Sequence, residues 1–266
     1  MRELIAKQYK LQFEREAVGA AEYWIALDCG AKDSERLVQL LLLKQGQADS
    51  LTDAVVRRRV DDLCHARYPG LVPLVDYGFD GSKGSYYFVY DLASGPTLIK
   101  HVSQVSLSLR EIARFLGQFV GFLQYLQSAR LARPWITPDE IFVSRGTNGS
   151  HVLSYNFVGL HDLTEVLRPG GGDANHESRP KENLCCPAML ARFLLSNGQL
   201  ATSIDEMLAR VPEGCRGEFK PLLEGTQDAD VDILSETSRL VAALERELAK
   251  EEVLRAGNQQ CRQQAL

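Results

Sequence analysis

The chain has 266 residues, 45% of them hydrophobic and 24% charged, with a net charge of −5, which allows one full core or two small lobes. The acidic balance argues against a nucleic-acid binder, and no apolar run approaches the roughly 20 residues that span a bilayer. The N-terminal MRELIAKQYKLQFERE has no signal-peptide core. The six cysteines, Cys185 and Cys186 included, lack disulfide-scaffold or metal spacing, so the expected setting is reducing and cytoplasmic.

Residues 8–44 alternate strand-like runs with turns: LQF, EYWIALD and LVQLLLL, parted by Gly19 and by CGAKDSER. Asp53 to Arg67 reads as a helix, with Val56, Val60 and Leu63 on one stripe. Interleaved Asp61 and Asp62 make Arg57, Arg58, Arg59 and Arg67 an ordinary charged helix face in preference to an anion site. Residues 71–78 and 85–92 are two more strands, separated by the DGSKG turn.

After Gly95 the character changes. Leu109 to Leu131 is a long helix, apolar on most sides through Ile112, Phe115, Leu116, Phe119, Leu123 and Leu126. Strand-like segments follow at 140–143 and 152–158. Residues 168–183, with three consecutive glycines, read as a flexible loop. His161, Asp162 and His176, at its start or within it, read as solvated polar residues and not as acid–base catalysts. Pro187 can open a helix and Gly198 close it. Ser203 and Glu206 form a capping box ahead of a short helix stopped by Pro212. Ser235 is placed to cap a last helix carrying Leu240, Val241, Leu244 and Leu248, and GNQQCRQQAL is a polar tail or linker. Five strands with one helix, then a mostly helical half, make an α+β two-lobe plan.

Three segments carry a resemblance beyond this plan. LARPWITPDEIFV (131–143) keeps Pro138 and the apolar Ile136, Ile141, Phe142 and Val143 in the frame of a catalytic loop. RRRVDDLCHARYPGLVPLVDYG (57–78) has the look of a helix followed by a His-Pro step, here Tyr68-Pro69, and a strand ending in Asp-x-Gly. YYFVYDLASGPTL (86–98) is like a fifth strand and hinge, with Gly95 and Leu98 retained. In this order they resemble protein kinases, most nearly the bacterial Hanks-type Ser/Thr kinases. The resemblance implies a bilobal fold: a five-stranded N-lobe with hinge over 1–95, a shortened, mostly helical C-lobe over 96–250 and a polar tail over 251–266.

The same frame assigns the active-site positions. The glycine-rich loop, residues 14–22, retains Gly19 alone, with two acids where phosphates would lie. The phosphate-binding Lys falls on Leu41, within Val38-Gln39-Leu40-Leu41; Lys44 comes three residues late, on the opposite face. Its glutamate partner falls on Arg59. Tyr90 takes the gatekeeper position, where its bulk narrows an adenine pocket, and Asp91 the hinge acid. The catalytic Asp is Trp135, which cannot accept a hydroxyl proton, and the two metal ligands are Glu140 and Asn156. Phe157 keeps the packing residue of the metal-binding triplet Asn156-Phe157-Val158, and the Ala-Pro-Glu motif reads Cys186-Pro187-Ala188. No Asp-x-x-x-x-Gly pattern follows, so the helices that dock peptide substrates are expected to be shortened or lost.

The resemblance therefore implies a pseudokinase: an inactive kinase-like domain that binds ATP and Mg²⁺ weakly or not at all and acts as a regulatory module on a protein partner. Trp135, Leu41 and Phe157 are expected to plug the emptied cleft. Glu140 and Asn156 could instead hold a hard cation as a swapped pair, which would favour an atypical nucleotide-binding transferase on the same fold. A loop acid and a hydrogen-bonded strand-end amide is the preferred reading of the two.

Overall fold

A computed structural model describes residues 4–18, 21–30, 36–44, 57–58, 60–61, 63–129, 136–147, 149–156, 184, 186–199, 202–224 and 231–264. The N-terminal lobe is a six-stranded sheet of β1 (Leu4–Ile5), β2 (Tyr9–Val18), β3 (Ala21–Asp28), β4 (Arg36–Lys44), β5 (Leu74–Asp80) and β6 (Ser85–Asp91). Their order is β1-β2-β3-β4-β6-β5, and every neighbouring pair is antiparallel. Two-residue β1 is additional to the five expected strands. A helix α1, helical at 57–58, 60–61 and 63–65, lies on one face.

Strand β4 explains itself by burial on both sides. Leu41 and Leu43 pack with Val60 and Leu63 of α1 and with Tyr86, Phe88 and Tyr90. Val38, Leu40 and Leu42 point the other way, to Ile5, Tyr9, Leu11, Ala26 and Val89. A strand covered on both faces needs no polar alternation, hence the nearly unbroken apolar run. The sheet curls until its ends meet. Ala6 N–H donates to Asp80 Oδ2 at 2.8 Å, and the Tyr9 hydroxyl donates to Asp76 Oδ2 at 2.5 Å. Burial and the adjacent Asp76 push the Tyr9 phenol far above its ordinary range.

The strand expected from residue 71 begins at Leu74 instead. The residues before it pair with the second sheet, formed by β7 (Ile141–Arg145) and β8 (His151–Tyr155). Tyr155 N–H donates to Gly70 O at 2.7 Å, and Val72 N–H donates to Tyr155 O at 3.0 Å. That pairing draws 70–72 out of the first sheet and ties the lobes together.

The second lobe is built on α3 (Leu109–Ser128), which follows the short α2 (Leu98–Gln104). Residues Ile112, Phe115, Leu116, Phe119, Phe122 and Leu123 of α3 are buried, and the Ser108–Glu111 capping box fixes its start. Tyr155 stacks on Phe122 with centroids 3.9 Å apart, and Tyr68 packs against Phe122 and Tyr125 while donating to Gln118 O. Helix α4 (Pro187–Leu195) opens on Pro187, and Gly198, at φ +77°, returns its N–H to Phe193 O. Helix α5 (Ile204–Ala209) carries the Ser203–Glu206 capping box.

Two helices differ from expectation. Helix α6 (Glu213–Glu224) forms despite Gly214, Gly217 and Pro221, because Cys215, Phe219 and Leu223 make a buried stripe at i, i+4 and i+8. Helix α7 (Val231–Gln264) starts before Ser235, which is therefore interior and not a cap, and it continues as helix through the stretch expected to be a tail. It runs antiparallel to α3: Arg110 pairs with Glu252 at 2.8 Å, and Gly117 sits beside Val241. Among the described residues no helix is long and apolar enough to cross a membrane. The 168–183 loop and His161, Asp162 and His176 lie outside the described residues.

A titratable cluster joins α2, α3 and β8. The buried His101 ring lies 4.8 Å from His151, whose Nδ1 is 3.0 Å from Glu111 Oε1. Burial, and then the neighbouring His151, lowers the His101 pKa below its ordinary 6.5. Desolvation alone would raise Glu111, but hydrogen bonds from Ser108 and His151 outweigh it and hold the carboxyl below its ordinary 4.5. Both shifts have one sign for stability. Between the unfolded and folded values the unfolded chain binds more protons, so acidification favours unfolding. The melting temperature should therefore fall as the pH drops below about 6.5, and again below about 4.5, in circular-dichroism melts. His101→Leu should abolish the first decline and keep the second.

Candidate functional site

The site lies where β4, the β6 end and the starts and ends of the β7–β8 hairpin converge. Its hinge depends on Gly95, whose φ is +89° and where a Cβ would lie 2.1 Å from Val143 O. The hinge is sewn to β7 by Val143 N–H donating to Pro96 O at 2.9 Å and by a bridge between Thr97 and Phe142.

The residues assigned from sequence fall as follows. Leu41 is fully buried in the apolar cluster that faces α1. Tyr90 is buried in the same cluster, and its phenol is pushed well up by burial first and then by Tyr23, Cys64 and Glu140. Asp91 meets Arg36 Nη1 at 3.1 Å, while Arg36 Nε is 3.4 Å from Asp28 Oδ2. The Asp28 carboxyl is desolvated, yet donors from Gln8, Gly30 N–H and Arg36 bring its pKa below the ordinary value.

Glu140 closes a turn at the foot of β7. Its Oε2 accepts the Thr137 N–H at 2.9 Å and the Thr137 hydroxyl at 3.3 Å, and its own carbonyl accepts the Asn156 N–H at 2.9 Å. Asn156, at the end of β8, is buried, and its Nδ2 donates to Gln39 Oε1. Its Oδ1 is buried with no hydrogen-bond partner among the described residues. Gly19, Arg59, Trp135 and Phe157 lie outside the described residues, and with them the expected Trp135–Leu41–Phe157 plug.

Gln39 is the residue that sequence reasoning passed over. It is 1% exposed on the α1-facing side of β4, paired in register with Ile25 of β3 and Tyr90 of β6. Besides accepting from Asn156, it holds Nε2 at 3.5 Å from Asp91 O. The available signal was one polar residue inside LVQLLLL, which a strand buried on both faces tolerates only if the side chain finds partners. Among the described residues no group of three or more His, Cys, Asp or Glu is arranged to hold a metal ion.

No family model matches the chain, and no curated protein matches it. A crystal structure of the PknI kinase domain of Mycobacterium tuberculosis, as a cysteine-to-alanine mutant, does match. Its TM-score is 0.59 at 14% identity, over 92% of this chain and 97% of that one. The chain therefore has a protein-kinase-like fold, mixed α and β, with a curled antiparallel sheet beside a helical part.

Gly95→Ala should destabilise the protein by roughly 2–4 kcal/mol, from left-handed strain plus displacement of the β7 backbone. Urea denaturation would measure it. Gly81→Ala, where a Cβ meets nothing within 4 Å, is the matched control and should change little.

Proposed function

We propose that this chain is a catalytically inactive kinase-like domain, a pseudokinase, that serves as a protein-binding or regulatory module in the cytoplasm. The observation that carries the reading is the buried Gln39–Asn156 hydrogen bond at the back of the cleft, with Leu41 beside it. A magnesium-bound triphosphate suits these groups poorly. Phosphoryl transfer is catalysed by positioning and by charge, through a cation on the phosphates, carboxylate or amide ligands on the metal and a base on the nucleophile. At the corresponding positions Leu41 offers no charge, Asn156 is an uncharged amide where a carboxylate would hold the metal, and Trp135 offers no proton acceptor. Glu140 is engaged by Thr137 of its own turn.

One observation favours a second reading, an atypical nucleotide-binding transferase. Asn156 Oδ1 is buried without a partner among the described residues, and Glu140 is bonded to the Asn156 main chain, so two oxygen donors belong to one corner. Labelled ATP separates the two readings. Incubated with generic protein substrates, the inactive domain should incorporate no more label than a heat-killed sample. Metal-dependent incorporation that disappears in Glu140→Ala would move the conclusion to the transferase. Millimolar ATP with Mg²⁺ should leave the melting temperature unchanged, whereas a ligand at 100 times its dissociation constant contributes about 2.7 kcal/mol.

A further inference from the structure

We propose that α2 is a proton-released latch: His101 seats this short helix against α3 and β8, and acidification detaches it while the rest of the lobe stays folded. The device is independent of the chemistry of the cleft.

Helix α2 has 7 residues, about two turns, too few to hold a helix in water without tertiary contacts. Its buried side chains are Leu98, His101 and Val102, and its N-cap Thr97 makes no side-chain cap bond. Ile99, Lys100, Ser103 and Gln104 are exposed. One of the anchors is therefore titratable. His101 is 8% exposed, its ring lies 4.8 Å from the His151 ring and 6.3 Å from that of Phe115, and its Nε2 is buried with no partner among the described residues. A neutral imidazole is tolerated in such a seat, whereas a charged one there lacks both water and an acceptor.

Glu111 of α3 draws a proton toward His101, but its carboxylate is already engaged. His151 Nδ1 holds Glu111 Oε1 at 3.0 Å, and Ser108 N–H and Oγ hold Oε2 at 2.9 and 2.8 Å. Burial and His151 of β8 oppose the proton and outweigh Glu111. Among the cations of the surrounding elements, Arg145 of β7 is exposed opposite His151 in register, and Lys100 is exposed on α2 itself. Arg114 of α3 is half-buried, and Arg210 is bonded to Leu107 O. The proton is thus bound more tightly when α2 is away from its seat, and lowering the pH through about 6.5 favours release.

Both ends of the segment are fastened independently of His101. At the hinge, Val143 N–H donates to Pro96 O and Thr97 bridges to Phe142. Past the helix, Leu107 is buried and its carbonyl accepts from Arg210 at 3.3 Å. The α3–β8 contact has its own tie in Gln118, which donates to His151 O and accepts from Leu153 N–H. Residues 98–105 can therefore leave as a unit, changing the surface beside the hinge, with α3 and the β7–β8 hairpin in place.

Amide hydrogen exchange at about pH 7.5 and about pH 5.5, corrected for the intrinsic pH dependence of exchange, tests this. One proton with an ordinary pKa of 6.5 in the released helix allows at most about a tenfold rise in opening over that interval. Protection of the amides of 101–105 should fall about 3–10-fold, with the amides of α3 unchanged. His101→Leu keeps an apolar anchor without a proton site and should show equal protection at both pH values. Wild-type protection of 101–105 that does not change with pH overturns the proposal, as does an equal loss across α2 and α3, or acid loosening that persists in His101→Leu. Should His101→Leu fail to fold, His101→Gln, uncharged at both pH values, is read by the same outcomes.

Discussion

Strand β4 is buried on both faces, and that constraint organises the rest. It runs between β3 and β6, with one cluster of leucines turned to α1 and another into the curl of the sheet. Such a position stabilises by roughly 25 cal/mol for each Å² of apolar surface removed from water, and it tolerates a polar atom only when that atom is bonded. Gln39 meets the condition with one partner on the neighbouring β6 and one outside its own sheet. Its partners lie in the hinge strand and at the end of β8, so the solvation requirement of one side chain becomes a tie between lobes. A second tie lies on the far side of the hinge, where Tyr155 exchanges main-chain hydrogen bonds with Gly70 and Val72 and stacks on Phe122. Two ties on different elements hold the lobes more firmly than either alone.

The same constraint explains which polar groups persist near the cleft. A buried amide that keeps its hydrogen bond is close to neutral for stability, whereas an unpaired one costs about 1–3 kcal/mol and an unpaired charge more. Leu41 needs no partner, and Asn156 has one through its Nδ2. The Glu140 carboxylate accepts two hydrogen bonds from Thr137 of its own turn. The Asn156 Oδ1 is buried with no hydrogen-bond partner among the described residues.

Much of this was legible in the sequence where a period or a cap carried the signal. The runs that became β2, β3, β4 and β6, the apolar stripe of α3, Pro187 and Gly198 about α4 and the capping box of α5 each announce themselves locally. What was missed depended on tertiary context. Residues 70–72 have strand character, but the pairing with Tyr155 decides their sheet. Helix α6 is opposed by its own Gly and Pro residues and forms because Cys215, Phe219 and Leu223 find a core. Strand β1 is too short to carry a period, and Ser235 looks like a cap only if the helix before it is unseen. In the site, Leu41, Tyr90, Asp91, Glu140 and Asn156 were singled out by the frame of the resemblance alone. Gln39 lies within the Val38-Gln39-Leu40-Leu41 segment, but only its contacts set it apart from its apolar neighbours.

Those contacts bear on how the domain would work. A domain that opens and closes around a ligand must break its interlobe contacts in each cycle, so such contacts are better placed at a solvated rim, where water replaces them. Here the polar contact is at the buried inner end, where breaking it leaves an amide and a hinge carbonyl without partners. The proposed regulatory module would gain from that arrangement, since a fixed relation between lobes would present one surface to a protein partner with little ordering cost on binding. On the proposed reading, the protein-kinase-like fold would supply shape and the buried contact between lobes would supply rigidity.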